Sequence, residues 1–250
     1  MINYGNICWF NTSMQAIMSA PHFESFIKHY KHQLAGQNDE QTNKINLINE
    51  MYNGNTRATS TLLNMFCNDK QIGHGRQEDA QEGLVLFLEW LNIPKLELLY
   101  IMRYNVRLEC ACGRVISNKD TCSHVYTTRD MQSQFNEQSV IEYNCTCART
   151  KVRQLRTLEY APPIIIMVID KYKQKENIIP ALNFEIEGIT GAMKYIPSAM
   201  IEHSGTCAGG HYYAQVKKIN KCFCANDSFI TEIPQIAPTP NTYVIIYVRV

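Results

Sequence analysis

One cysteine, Cys8, stands in "NYGNICWFNTSMQAI" (residues 3–17), between a glycine-containing turn and a helix-like run. Two readings compete for it. Free cysteine is among the most buried residue types and commonly packs as a small hydrophobe. It is also a nucleophile once its thiol, which titrates at about 8.5, is shifted down by a helix N-terminus or an adjacent imidazole. Cys8 directly precedes the helical pattern, so a thiolate there meets the positive end of the helix dipole. A base has to come from elsewhere in the chain. "IEHSGTCAGGHYYAQVKK" (201–218) offers His203 and His211. His211 follows Gly209 and Gly210 and opens an alternating strand, so the glycines admit a close backbone and the strand fixes the ring. A lone histidine is more often a hydrogen-bonded structural residue. "CANDSF" (224–229) supplies Asn226 and Asp227, either of which can hold one imidazole tautomer. Taken alone, Asn-Asp reads as a turn.

The chain has ten cysteines, at 8, 67, 110, 112, 122, 145, 147, 207, 222 and 224. The N-terminus lacks the basic, apolar and small-residue order of a secretory signal, which argues for a reducing compartment. There, cysteines point to metal ligation, catalysis or burial, not to a disulfide scaffold. Cys110/Cys112 and Cys145/Cys147 form two C-x-C pairs with 32 residues between them. Four thiolates suit tetrahedral zinc, and Gly113 after the first pair suits a metal-binding turn. The competing reading is four reduced, partly buried thiols. Cys222 and Cys224 share one strand face and read as packing. Cys207 reads as a loop residue, and Cys67 and Cys122 as buried thiols.

Positioning these groups takes a helical half followed by a β-rich half. Residues 11–31 carry Met14, Ile17, Met18 and Phe26 at helical spacing, with a break at Pro21. Shorter amphipathic patterns fall at 44–52 and 59–67. The clearest helix is 77–91, with Leu84, Phe87, Leu88 and Leu91 on one side and Glu78, Asp79 and Glu82 at its N-terminal end. After Pro94, strand-like runs occupy 104–110, 124–128, 152–158, 163–169, 182–187, 194–202, 211–219 and 242–249. Helices first and strands second predict an α+β fold in one contiguous unit over 1–250, with an insertion near 105–155. The net charge of +1 gives no basic field for nucleic acid or an acidic membrane surface. No apolar run reaches the roughly 20 residues of a membrane span.

Five stretches in order, "NYGNICWFNTSMQ", "QEDAQEGL", "EHSG…GGHYYA", "AND" and "TYVIIYVR", resemble the boxes of the ubiquitin-specific protease family of papain-like cysteine proteases. The resemblance runs from Asn3 to Arg249. It implies a papain-like hand: a helical thumb over about 1–100, β fingers over about 101–158 and a β palm over about 159–250. Cys8 matches the nucleophile, His211 the general base and Asn226 the residue that orients it. Asp227 matches a neighbour that supports or replaces Asn226, and Asn3 matches the side-chain amide that stabilises the oxyanion. His203 matches a loop residue without a proton-transfer role, and Gln15 and Asp79 match positions that support the fold. Cys110, Cys112, Cys145 and Cys147 fall where family members bind structural zinc, each pair one residue shorter than the usual C-x-x-C. Trp9 falls beside the narrow channel that admits a Gly-Gly tail.

The sequence also departs from the pattern. Ile7 stands where Thr is usual and Trp9-Phe10 where Tyr-Met is usual. Gly83 stands where Phe is usual, which removes a core anchor. The implied activity is thiol-dependent hydrolysis after the C-terminal glycine of ubiquitin or a ubiquitin-like modifier, with zinc structural and no cofactor in the chemistry. The implied setting is a cytoplasmic or nuclear monomer whose partner is that modifier. Competing readings are a papain-like protease that processes a polypeptide precursor, an inactive modifier-binding module, and a zinc-held interaction domain.

Overall fold

The structure, a computed structural model, describes residues 1–3, 5–34, 39–73, 75–127, 135–169, 180–188, 191–206 and 209–250. Helices occupy the first hundred residues: α1 (Cys8–Met18), α2 (Pro21–Gln33), α3 (Glu40–Tyr52), α4 (Thr56–Lys70) and α5 (Ala80–Leu91), then a 3₁₀ turn at Leu96–Leu99. The chain resembles neither a bundle nor an alternating βα array, and α1 shows why. Only Gln15 of its eleven residues escapes full burial. A helix that is buried on all sides must be surrounded. On one side α1 meets α5, and on the other it lies across strands of the large sheet.

The α1–α5 contact is aromatic. Phe10 stacks on Phe66 at 6.1 Å and meets Phe87 edge-on at 5.6 Å, and Phe66 and Phe87 both reach Trp90. Gly83 belongs to this contact. A Cβ at Gly83 would come within 2.5 Å of Trp9 Cζ3 and 2.6 Å of Cε3. The lost anchor expected at position 83 is therefore corrected: the indole of Trp9 fills the space from the facing helix. The channel position expected for Trp9 is corrected too. Its side chain is 1% exposed, and Nε1 donates to the Arg76 carbonyl at 3.3 Å. The helix ends follow ordinary capping chemistry. Asp79 caps α5 by accepting from the Gln81 and Glu82 N–H groups at 2.7 and 3.1 Å, and also accepts from the Tyr243 hydroxyl at 2.6 Å.

The strands form two sheets. A four-stranded antiparallel sheet has the order β2 (Val115–Cys122), β1 (Met102–Glu109), β5 (Lys151–Tyr160), β4 (Asn136–Glu142). The larger sheet runs β11 (Phe229–Ile233), β10 (Lys221–Asn226), β9 (Gly209–Lys218), β8 (Gly191–Thr206), β12 (Thr242–Arg249), β6 (Ile164–Val168) and β3 (Val125–Tyr126). A further strand, β7 (Phe184–Gly188), pairs with β8. Among the described residues all pairings are antiparallel except β3 with β6. β6 is buried on both faces, as expected for a central strand between two cores. One core lies between this sheet and the helices. The second, on the opposite face, includes Tyr104, Phe184, Tyr195 and Tyr247.

Near the site, β8 buries a carboxylate. Glu202 is fully inaccessible and accepts from Gln215 Nε2, Thr239 Oγ1 and Thr242 Oγ1 at 2.9, 2.5 and 3.0 Å. Such a charge is tolerated in an interior only when its lone pairs are satisfied. This network locks β8, β9 and the start of β12 together. The 124–128 strand reading reaches beyond the described residues at its C-terminal end, and Cys207 lies outside them altogether. No helix among the described residues is long and apolar enough to cross a membrane.

Candidate active site

The segment before α1 is a tight turn. Asn6 sits at φ 48° and Gly5 at φ 120°, values that L-residues other than Asn and Asp seldom adopt. Asn3 closes the turn: its Oδ1 accepts from the Gly5 N–H at 3.0 Å and the Ile7 N–H at 3.3 Å. Asn6 Nδ2 donates to the Gly75 carbonyl at 3.0 Å, tying the turn to the segment before α5. Cys8 is thereby delivered as the first residue of α1. No acidic side chain occupies the first helical turn, and the N-cap residue Ile7 offers no side-chain cap.

α1 packs on β9, the strand that carries His211. The Cys8 thiol meets the backbone N–H of Tyr212, the residue after His211. The histidine and the cysteine, 203 positions apart in the chain, thus share one corner of the fold. Next to β9, β10 ends at Asn226 and turns at Asp227, which has φ 51°. His211 Nε2 and Asn226 Oδ1 are 2.7 Å apart. An amide oxygen there accepts from Nε2–H, which leaves the lone pair on Nδ1.

Asp227 makes a different set of contacts. Its Oδ2 accepts from Asn3 Nδ2 at 3.0 Å and its Oδ1 from Asn11 Nδ2 at 2.8 Å. Asp227 therefore couples the pre-helix turn and α1 to the end of β10. Asn3 keeps one of its two amide hydrogens free of this bond. Asn11 is a residue that the sequence reading missed. Its place one helical turn beyond Cys8, on the same face, was the available signal.

The electrostatics of Cys8 differ from the expected depression. Burial pushes its thiol above the ordinary value. The Tyr212 N–H opposes that shift, and the Asp227 charge adds to it. The thiol is 3% exposed, so desolvation outweighs what the helix end supplies. Burial therefore favours the neutral thiol of Cys8 over its thiolate. His203 lies apart from this chemistry. It is buried and stacks on Tyr212 with ring centroids 4.4 Å apart.

A second missed residue spans the cleft. Gln77 Nε2 donates to the Gly210 carbonyl at 2.5 Å, and Gln77 Oε1 accepts from the Gly210 N–H at 3.2 Å. One side-chain amide thus pairs with both backbone groups of the residue before His211. Gly210 is required here, since a Cβ would lie 2.4 Å from the Ser204 carbonyl and 2.5 Å from His203 Nε2.

The far end of the four-stranded sheet gathers the other cysteines. Cys110 and Cys112 occupy the β1–β2 turn, and Cys145 and Cys147 the β4–β5 turn. The two turns share one geometry. In each, the first cysteine accepts at its carbonyl from a residue three later, Gly113 or Ala148, at 2.9 Å. Both of those residues have positive φ. All four sulfurs lie within 4.8 Å of one another. Cys110–Cys147 and Cys112–Cys145 are 3.6 and 3.8 Å apart. Zn–S bonds of about 2.3 Å give tetrahedral edges of about 3.8 Å, so the donor set and its spacing fit zinc. The Cys147 backbone N–H is the main influence that draws the Cys145 thiol down to about 6. This cluster is remote from Cys8 in the topology and fits a structural ion.

A thiol at a helix start and an imidazole with an amide partner suit a thiol hydrolase, and the separate four-cysteine cluster is spaced to hold a metal ion. The family model described as ubiquitin carboxyl-terminal hydrolase matches residues 1–247, and the chain belongs to that family of cysteine hydrolases. No curated protein matches it by sequence. Solved structures do match in fold. One is a SAGA Ubp8/Sgf11/Sus1/Sgf73 DUB module bound to ubiquitin aldehyde, with TM-score 0.78 and 15% identity over 100% of this chain and 69% of that one. Another is a SAGA DUB module bound to monoubiquitin, with TM-score 0.76 and 15% identity over 100% and 68%. A yeast SAGA DUB module matches with TM-score 0.77 and 17% identity over 100% and 68%.

Proposed function

We propose that this chain hydrolyses the isopeptide or peptide bond after the C-terminal Gly-Gly of ubiquitin or a ubiquitin-like modifier, with Cys8 as nucleophile. The reading rests above all on the His211–Asn226 contact, set beside a buried cysteine at the start of a helix. His211 Nδ1 accepts the thiol proton as sulfur attacks the glycine carbonyl carbon. The C=O π pair moves to oxygen, where the second Asn3 amide hydrogen and the Cys8 backbone N–H stabilise the charge. One such donor contributes on the order of 3 kcal/mol to the transition state. The oxyanion then collapses, the C–N bond breaks, and His211 returns its proton to the leaving amine. Water, deprotonated by His211, releases the acyl group from Cys8. Asn226 orients the imidazole, and Asp227 holds Asn3 and α1 in place.

The division into a helical thumb (about 1–100), fingers (about 101–158) and palm (about 159–250) is part of this proposal, with the cysteine tip gripping the modifier. The setting is cytoplasmic or nuclear and the enzyme a monomer. The Gly210–Gln77 pairing supports a narrow cleft, which suits a tail without side chains. The test is a panel of electrophilic probes built on the C-termini of ubiquitin and ubiquitin-like modifiers. At least one probe should label the wild type covalently and leave Cys8→Ala unlabelled. Labelling that persists in Cys8→Ala, or a wild type inert to every probe, overturns the reading.

A further inference from the structure

At the opposite end of α1, ten residues and about 15 Å of helical rise from the thiol, a cavity of about 570 Å³ opens. It lies where the helix is bolted to β8. Ser19 Oγ and Ser198 Oγ are 2.9 Å apart, and Ser198 Oγ donates to the Ser19 carbonyl at 2.9 Å. Met18, Pro21, Ile196, Pro197 and Val248 give the cavity apolar walls.

Two polar atoms in its lining residues lack partners. His22 Nδ1 and the Tyr52 hydroxyl are buried without a hydrogen bond. Folded proteins rarely leave such groups unpaired, because each carries its full desolvation penalty. Neither group is favoured in its charged form. Burial, then the Arg249 charge, lowers the His22 imidazole, while burial, then Glu24, raises the Tyr52 phenol. The phenol is therefore a standing donor. Lys217 and Lys218 line the space beside two acidic groups, the Val250 carboxylate and Glu24, which Lys28 engages at 2.5 Å, while the Arg249 guanidinium donates to the Ala161 carbonyl at 3.5 Å. Lys218 Nζ stands 6.0 Å from the centroid of the Tyr52 ring. α2 starts here at Pro21 with no side-chain cap, so its dipole adds to the field of the lysines.

We propose that this cavity binds a small monocarboxylate with an apolar body, its carboxylate received by Tyr52, His22 and Lys218. The site is separate from the cleft that holds Cys8. It bridges α2, α3 and the strands β8, β9 and β12 at the joint between helices and sheet.

The experiment is calorimetric titration of the full chain with octanoate, 1-octanol and inorganic phosphate. Octanoate should bind about tenfold or more tightly than 1-octanol, as a charge-assisted hydrogen bond predicts, and phosphate should give no heat at the same concentration. Tyr52→Phe, which keeps the ring, and Lys218→Gln, at an exposed position, should each weaken octanoate by about fivefold, a modest hydrogen-bond or ion-pair contribution. Cys8→Ala should leave binding unchanged. Equal affinity for octanoate and 1-octanol overturns the proposal. So does octanoate binding that both cavity variants leave intact. Absence of octanoate binding, as when the nearby Val250 carboxylate serves these donors in solution, overturns it as well.

Discussion

The cleft around Cys8 and the tip that carries Cys110, Cys112, Cys145 and Cys147 use the same residue type in opposite surroundings. Cys8 rides on a helix enclosed by α5 and the large sheet, and burial raises its thiol. The tip cysteines sit on two turns, where Cys110 and Cys145 join a small core of Val106, Leu108 and Val152 while Cys112 and Cys147 are exposed, and Cys145 is drawn down to about 6. Flanking strands β2 and β4 are largely exposed on both faces. Packing of α1 and the hydrogen bonds of Asn3, Asn6 and Asp227 hold the first cysteine in place. The tip has a smaller apolar cluster, and an ion held by its four sulfurs would add order that burial supplies elsewhere.

The largest effect that sharpens this contrast is chemical. His211→Ala should lower kcat/KM for a modifier-amide substrate by about 10³-fold, in the range of a lost general base, with an unchanged melting temperature. A variant that loses stability as much as activity would make His211 a structural member of the cleft. Next comes the tip. Cys145→Ser should abolish stoichiometric zinc in elemental analysis and lower the melting temperature by roughly 5–10 °C, while Cys8 still reacts with its probe. Unchanged melting with zinc lost would mean that the turns order themselves without an ion. The smallest effect is a pH profile. Because the Cys8 pKa is raised, the thiol stays protonated through neutrality and its thiolate grows only at alkaline pH. Iodoacetamide alkylation of Cys8 in the free enzyme should therefore keep rising above the midpoint of an ordinary thiol, about 8.5. A plateau below neutral pH would show a preformed thiolate–imidazolium pair instead.

Much of this arrangement was legible in the residues, and the gaps have physical causes. α1 and α5 were visible because their apolar residues recur at helical spacing. His211 and Asn226 were visible because a glycine pair and a turn pair punctuate strands. β2, β4 and β11 left no periodic trace, since most of their side chains face solvent and carry no alternation. Helix α1 starts at Cys8, three residues before its periodicity suggests, because enclosure on all sides replaces amphipathic order with a continuous run. Asn11 and Gln77 went unnoticed because their roles depend on partners more than a hundred positions away, Asp227 and Gly210. The expected fall in the Cys8 pKa was reversed because sequence shows the helix end and not how deeply the sulfur is buried.

The fit of Trp9 onto Gly83 makes two distant positions a single steric unit. A bulky residue at 83 would collide with the indole, and shrinking residue 9 alone would open a void beside the nucleophile. Either step taken singly disturbs the contact with α5 on which α1, and with it Cys8, is seated. The two volumes are therefore coupled, and a change at one position calls for a compensating change at the other.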